Sequence, residues 1–341
     1  MHISRSEIVE LFNNFSQQKV LILGDVMIDS YLWGKVDRIS PEAPVPVVSV
    51  KKRNSLLGGA ANVALNIKAL GATPLLCSAI GADQRGAEFK ALLTQAGISS
   101  EGIVESPSRI TTTKFRIIGN NAQMLRVDEE MDAELNTDDE TVLMHRLDDL
   151  FRQHTISVVI LQDYNKGVLT PAVIEKICTI ARLAGAPVVV DPKRKNFELY
   201  NHVDLFKPNL KELRDGLKLD ADLDSVEIIR EAVKQWQDRQ SIKAMMVTLS
   251  EAGVYIRETK NKNETVEEYH LPAHLRKIAD VSGAGDTVIS VASLCRALRV
   301  SAYLTASVSN LAGGLVCEHV GVVPVDRNLL LSEALVHLVK E

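Results

Sequence analysis

The chain has 341 residues, 46% of them hydrophobic, with a formal net charge of −5 and 4% aromatic residues. That is enough apolar material for a large core without a disulfide or metal staple, in one large domain or two small ones. An acidic balance leaves no basic footprint for nucleic acid, and so few aromatics leave no surface for stacking bases.

In chain order, Ser6 is the expected cap of an opening helical turn that carries Ile8, Val9, Leu11 and Phe12. Residues 19–25 form a near-continuous apolar run ending in Gly24-Asp25, as in a strand buried on both faces of a parallel sheet. Residues 30–52 break that rhythm with Tyr31-Leu32-Trp33-Gly34 and Pro44-Val45-Pro46-Val47-Val48. Gly58-Gly59 then precede a helix with Asn62 one turn in, either presenting its amide to a ligand or buried behind a tight turn. Residues 111–127 read as a hairpin turning at Gly119-Asn120-Asn121. Together the two irregular regions predict a small antiparallel sheet inserted into the main domain. Periodicity fits a lid over the active edge and an ordinary surface hairpin equally well.

Strands at 158–161, 187–190 and 245–248 alternate with helical patterns at about 137–153, 171–185, 209–216 and 225–240. This alternation predicts a doubly wound α/β sheet. Ligands in such sheets lie at the carboxyl ends of the strands, where Asp25, Asp163, Asp191 and Ser250 fall. Residues 258–264 are the most polar stretch and read as a solvated turn.

Cys77, Cys178, Cys295 and Cys317 form no C-x-x-C pair, which predicts buried, reduced thiols. The eight histidines form no H-E-x-x-H, so no structural zinc is expected. No run of 18 apolar residues is free of charges or breaks, and Met1–Glu7 lacks an apolar leader. The expected location is therefore the cytoplasm, with no membrane partner.

The segment that carries chemistry is Asp280-Val281-Ser282-Gly283-Ala284-Gly285-Asp286-Thr287-Val288, running into an apolar helix. Small residues let backbone N–H groups converge at a helix N-terminus, which favours an anion such as a transferring phosphoryl group. Asp286 at that point can accept the proton of an attacking hydroxyl, or simply cap the helix. Neither Gly-x-x-x-x-Gly-Lys-Ser/Thr nor Gly-x-Gly-x-x-Gly occurs.

Taken with Gly58-Gly59-Ala60-Ala61-Asn62 and Lys207-Pro208-Asn209-Leu210-Lys211-Glu212, the segment resembles the ribokinase-like (PfkB) carbohydrate kinases over nearly the whole chain. The resemblance implies a single kinase domain, 1–341, with lid segments at about 30–52 and 111–127. It implies MgATP as donor, Asp286 as base, and Gly283, Ala284 and Gly285 as anion hole. It further implies that Asn209, Leu210, Lys211 and Glu212 organise Mg²⁺ and the ATP phosphates. Thr248, Ser250, Glu251 and Gly253 would line the nucleotide, and Asp280, Ser282 and Gly321 would hold a monovalent cation such as K⁺.

Gly24-Asp25-Val26-Met27-Ile28-Asp29, Arg38-Ile39-Ser40-Pro41-Glu42-Ala43-Pro44-Val45-Pro46-Val47 and Asp191-Pro192-Lys193 resemble one branch of that family. This branch comprises the D-glycero-β-D-manno-heptose 7-phosphate kinases that feed ADP-heptose and lipopolysaccharide core synthesis. Ser282 departs from it, standing where threonine is commoner. Many of these relatives carry a nucleotidyltransferase domain after the kinase, and this sequence shows none before Glu341. The expected product is thus the 1,7-bisphosphate and not the ADP-sugar. Asp25, Asp29 and Asn62, with Gly58 and Gly59, are the expected sugar contacts. A substrate that already bears a phosphate needs cations at the end far from Asp286. Arg116, Arg126, Lys166, Lys193 and Arg194 are the candidates, Lys193 foremost because it follows a strand end. Arg116 and Arg126 equally fit ordinary hairpin surface charge. The resemblance also implies a homodimer through the lid, with Val45, Val47, Phe115 and Ile117 available for burial there or against their own domain. Two rivals stay open: a kinase of the same fold for another sugar, sugar acid or nucleoside, and a non-catalytic sugar-binding regulator.

Overall fold

Strand β1 (Lys19–Gly24) is apolar on both faces because each face meets a core: Val20 and Ile22 enter one, Leu21 and Leu23 the other. A computed structural model describes residues 3–219, 225–260, 265–274 and 276–339. Helix α1 (Arg5–Phe15) precedes β1. Its cap is Ser4 and not Ser6: the Ser4 hydroxyl accepts from the Glu7 N–H at 3.2 Å, while the Glu7 carboxylate accepts from the Ser4 N–H at 2.8 Å. This reciprocal box satisfies two otherwise orphaned donors.

After β1 the chain leaves the sheet. Strand β2 (Val26–Ile39) runs out and β3 (Pro46–Gly59) returns antiparallel into helix α2 (Ala60–Ala69). Next come β4 (Thr73–Gly81), α3 (Gln84–Gln95) and β5 (Gly102–Ser106). The expected hairpin is β6 (Thr113–Gly119) and β7 (Ala122–Glu129). It turns at Asn120 and Asn121, with φ of 52° and 65°, the left-handed pair that matches strand twist.

The alternation then follows as α4 (Thr137–Gln153), β8 (Val158–Gln162), α5 (Pro171–Ala184), β9 (Val188–Asp191), β10 (Leu205–Phe206), α6 (Leu210–Leu217), α7 (Val226–Gln240) and β11 (Ala244–Thr248). Strands β12 (Val254–Thr259) and β13 (Val266–Leu271) add an antiparallel edge, before α8 (Ala284–Ala297), α9 (Ala302–Val316) and α10 (Arg327–His337).

The nine-stranded sheet runs β13-β12-β11-β10-β9-β8-β1-β4-β5, parallel from β11 to β5. Residues of α1, α2, α8, α9 and α10 pack on one face and those of α4, α5 and α7 on the other. The second sheet runs β3-β2-β6-β7. Its two hairpins are antiparallel, and the β2–β6 pairing that joins them is parallel. It springs from the carboxyl end of β1, where the main sheet's connections diverge.

The polar stretch begins inside the fold: Glu258 is buried in β12, and its carboxylate accepts from Arg296 of α8 at 2.8 Å. Residues 261–264 lie outside the described residues. All four cysteines are free thiols, but Cys178 is only half-buried. No helix among the described residues is long and apolar enough to cross a membrane.

Candidate active site

Helix α8 begins at Gly283, its N-cap, with φ of 80°. A Cβ there would be strained and would lie 3.2 Å from both Asn62 Nδ2 and Val322. Of the first-turn N–H groups that follow, that of Ala284 donates to the Val281 carbonyl at 3.3 Å, and those of Gly285 and Asp286 have no acceptor within the helix. A Cβ built on Gly285 would meet only Lys207 Nζ, at 3.9 Å, so the space above this turn is open and faces a cation.

The Asp286 carboxylate is buried at the edge of that space. Asn62 Nδ2 donates to its Oδ2 at 2.7 Å, while Tyr164 Oη at 2.8 Å and Gln162 Nε2 at 3.2 Å donate to its Oδ1. Burial pushes its pKa up to about 6. The Asn62 and Tyr164 bonds hold it down, the neighbouring Asp191 adds to the rise, and Lys207 opposes it. Asp191 ends β9; it accepts from Gln162 Nε2 at 3.1 Å and pairs with the buried Lys207 Nζ at 3.1 Å.

Asn209 and Glu212 open α6 as a capping box: Asn209 Oδ1 accepts from the Glu212 N–H at 2.8 Å, and Glu212 Oε2 from the Asn209 N–H at 2.9 Å. Asn209 also bridges to Thr248 at the end of β11. That bridge brings the Asn209–Glu212 turn beside the Thr248–Gly253 turn, where Ser250 and Glu251 are exposed. Leu210 packs on the core, and Lys211 is exposed.

On the opposite side of Gly283, the Asp280 carboxylate accepts N–H groups of Ser282 and Gly321, each at 2.9 Å. Burial pushes the Asp280 pKa up, but these bonds outweigh it and hold the carboxyl below its usual range.

The sugar-contact candidates separate. Asn62 is bonded to Asp286 itself. Asp29 is buried, ion-paired with Arg116, and packed so closely on Gly58 that a Cβ there would lie 2.3 Å from Asp29 Oδ2. The backbone carbonyl of Asp25 accepts from Ala60 just past Gly59, and its carboxylate accepts three backbone N–H groups.

The structure corrects the placement of Lys193. Its Nζ is ion-paired with Glu212, lies 5.3 Å over the Tyr164 ring, and is held charged by Asp191 and Glu212 despite burial. It therefore stands at the Asp286 end, because β9 delivers it to the same sheet edge as Asp191. Lys166 is neutralised by Glu130 at 2.9 Å and Asp132 at 2.6 Å, and Arg194 is exposed on a short 3₁₀ turn. Arg116 and Arg126 are directly opposite in the β6–β7 register, and Tyr31 is opposite Arg116 on β2.

The pfkB family carbohydrate kinase profile matches residues 17–327. The chain belongs to the pfkB family of carbohydrate kinases. This pfkB kinase is 36% identical over 332 residues to the bifunctional protein HldE of Geotalea uraniireducens, across 97% of this chain and 66% of that protein. It is 40% identical over 309 residues to HldE of Caulobacter vibrioides, across 90% of this chain and 61% of that protein. The chain thus spans about two thirds or less of these relatives. Among solved structures it resembles phosphofructokinase-2 from Escherichia coli in complex with potassium, with a TM-score of 0.75 and 17% identity over 94% of this chain and 99% of that one. It also resembles Arabidopsis thaliana ribokinase complexed with ribose and ATP, with a TM-score of 0.69 and 18% identity over 92% and 98%. The enzyme is an ATP-dependent sugar kinase.

Three site residues escape sequence reading. Lys207 stands inside a quoted motif, and its signal is a lysine directly after the apolar pair Leu205-Phe206. Gln162 and Tyr164 flank Asp163 at a strand end; only folding shows that they face Asp286 whereas Asp163 turns away to Asn196 and Tyr200.

Proposed function

We propose that this kinase transfers the γ-phosphoryl group of ATP to the 1-hydroxyl of D-glycero-β-D-manno-heptose 7-phosphate, giving the 1,7-bisphosphate. The observation that carries the chemistry is a buried carboxylate, Asp286, held by three donors beside the open, cation-facing N-terminus of α8. Above a pH of about 6 the carboxylate is charged and accepts the proton of the attacking hydroxyl. The N–H groups at Gly283, Ala284 and Gly285 and the Lys207 ammonium stabilise the charge that develops on the transferring group.

The residues present fit MgATP. Among the described residues no cluster of three acidic, histidine or cysteine ligands could cage a metal. That suits Mg²⁺, which keeps its waters and binds through one or two carboxylates and the phosphates. Glu212, with Asn209 behind it, is the carboxylate available, and Lys193 now stands against it as a cation. When bound, MgATP supplies the electrophilic phosphorus and divalent charge on the phosphate oxygens. Thr248, Ser250, Glu251 and Gly253 are the proposed nucleotide wall. Asp280, Ser282 and Gly321 are the proposed monovalent-cation site, for which K⁺ is the candidate.

The substrate assignment is supported by the residue 38–47 motif and the HldE relatives. Arg116, paired with Asp29, and Arg126, paired with Asp128 at 2.6 Å, lie directly opposite on adjacent strands, where two guanidinium groups can close on one phosphate in exchange for those carboxylates. They are the proposed contacts to the 7-phosphate, with Asp29 and Asn62 toward the hydroxyls. The small sheet is the proposed lid. Its exposed Val45, Leu125 and Val127 suit a second copy of the chain, and a cytoplasmic location suits the need for ATP.

The test is phosphoryl transfer from MgATP to a panel of heptose 7-phosphate, other sugar phosphates and unphosphorylated sugars. Turnover concentrated on heptose 7-phosphate and lost in Asp286→Asn is expected. Preference for another sugar would discard the substrate and keep the mechanism. ATP binding with no turnover on any sugar would favour a regulator.

A further inference from the structure

This inference rests on the reading of Asp286 as the base. A carboxylate offers about four acceptor positions. Three are filled here, two on Oδ1 by Gln162 and Tyr164 and one on Oδ2 by Asn62. The position left open, on Oδ2, is where an attacking hydroxyl can bind. Asn62 stands on helix α2 and Gln162 on strand β8, both rigid. Tyr164 stands in the loop after β8, and a loop does not by itself hold a phenol in place.

Asp25 supplies the anchor. Its carboxylate is 1% exposed and accepts the N–H groups of Tyr164 at 2.8 Å and of Lys166 and Val168 at 3.0 Å each. A buried carboxylate with three of its acceptor positions taken by backbone donors of one loop is built to hold that loop. The sequence places Asp25 among the sugar contacts, but the fold directs its charge at residues 164–168. The face of the Tyr164 ring meets the Lys193 ammonium, which pairs with Glu212. One side chain thus touches the base through its hydroxyl and, through its ring, the lysine that pairs with the proposed metal arm.

We propose that Tyr164 is a positioning residue for the catalytic base, its hydroxyl orienting Asp286 so that one Oδ2 lone pair faces the substrate, and that Asp25 acts through Tyr164. The consequences divide by atom. The hydroxyl governs Asp286; the ring governs Lys193.

Tyr164→Phe removes the hydroxyl and keeps the ring. The first readout needs no substrate: the ¹³C carboxyl signal of Asp286 in the ligand-free protein, assigned by its loss in Asp286→Asn, is followed through pH. The charged groups facing Asp286 are Asp191 at the end of β9, Lys207 after β10, and Lys193, and the variant changes none of them. A hydroxyl that donates to the charged carboxylate lowers its pKa, so its loss should move the titration up by about one pH unit. The second readout is turnover: kcat should fall about tenfold, with KM for ATP within about twofold, as expected for a group acting on the base alone. Asp25→Asn should shift the Asp286 titration in the same direction. An unmoved titration in Tyr164→Phe, or a moved titration with unchanged kcat, overturns the role of Tyr164; an unmoved one in Asp25→Asn removes Asp25 from it. Failure of the wild-type enzyme to use heptose 7-phosphate would sink the substrate assignment, and the carboxyl titration would still decide this one.

Discussion

Replacing Asp286, the proposed base, should make the protein more stable while it makes the enzyme nearly inactive. Asp286 has a pKa of about 6 in the folded protein against 3.8 for an ordinary aspartate. The folded value lies above the unfolded one, so the stability tied to the protonated form is fully present below 3.8 and is lost as pH rises through about 6. At pH 8 the charged carboxylate therefore costs the fold about 3 kcal/mol, from 2.2 pH units at about 1.4 kcal/mol each. Asp286→Asn removes that charge. Its new amide N–H₂ meets the Asn62 donor, which offsets about 1 kcal/mol. The net expectation is stabilisation by about 2 kcal/mol at pH 8, shrinking by about 1.5 kcal/mol at pH 5, where the wild-type carboxyl is mostly protonated. Asp163, also raised by burial to about 6, is present in both proteins and cancels. Urea unfolding of both proteins at the two pH values, followed by tryptophan fluorescence, gives the comparison, and kcat should fall ~10²–10⁴-fold in the same variant. A variant no more stable than wild type at pH 8, or a gap that ignores pH, would refute the claim that burial of a charged base is what raises its pKa.

Lys193→Ala should raise KM for MgATP or lower kcat by about tenfold while leaving KM for the sugar within about twofold, since Lys193 faces Glu212 and Asp191. The reverse pattern would return Lys193 to the substrate phosphate. Arg116→Ala and Arg126→Ala should each raise KM for heptose 7-phosphate about tenfold or more and leave any unphosphorylated sugar little changed; equal effects on both classes would make them structural. Gly283→Ala puts a Cβ at φ 80° and 3.2 Å from Asn62 Nδ2. It should destabilise by about 1–2 kcal/mol in urea unfolding and lower kcat, and wild-type values of both would remove the left-handed cap from the mechanism.

Much of the architecture was legible because it rests on local chemistry. The 3.6-residue and continuous apolar patterns mark α4, α5, α7 and the central strands within a residue or two. Asn120-Asn121 marks its own turn, because asparagine tolerates left-handed backbone. The proposed base also stands in a local motif, a glycine pair ahead of an aspartate at a helix start. The cap of α1 was misplaced by two residues because Ser4 and Ser6 are equivalent until Glu7 is seen to close the box on Ser4. The parallel β2–β6 pairing was invisible, since it joins segments more than 80 residues apart and leaves no mark on either.

The sequence by itself determined the parts of the proposed chemistry: an aspartate at a glycine-rich helix start, an Asn-x-x-Glu cap, and a parallel sheet to present them. These are properties of neighbouring residues and survive in any window of the chain. Only the tertiary structure decided which groups surround that aspartate and what each charge faces. Asn62, Gln162, Tyr164, Asp191 and Lys207 come from four separated segments and meet because α2, β8, β9 and β10 all deliver residues to one sheet edge. Whether Asp25 holds a sugar or a loop, and whether Lys193 faces Glu212 or a distant phosphate, turns on a few ångströms across strands. Those distances set desolvation and Coulomb energies, and no residue pattern along the chain encodes them.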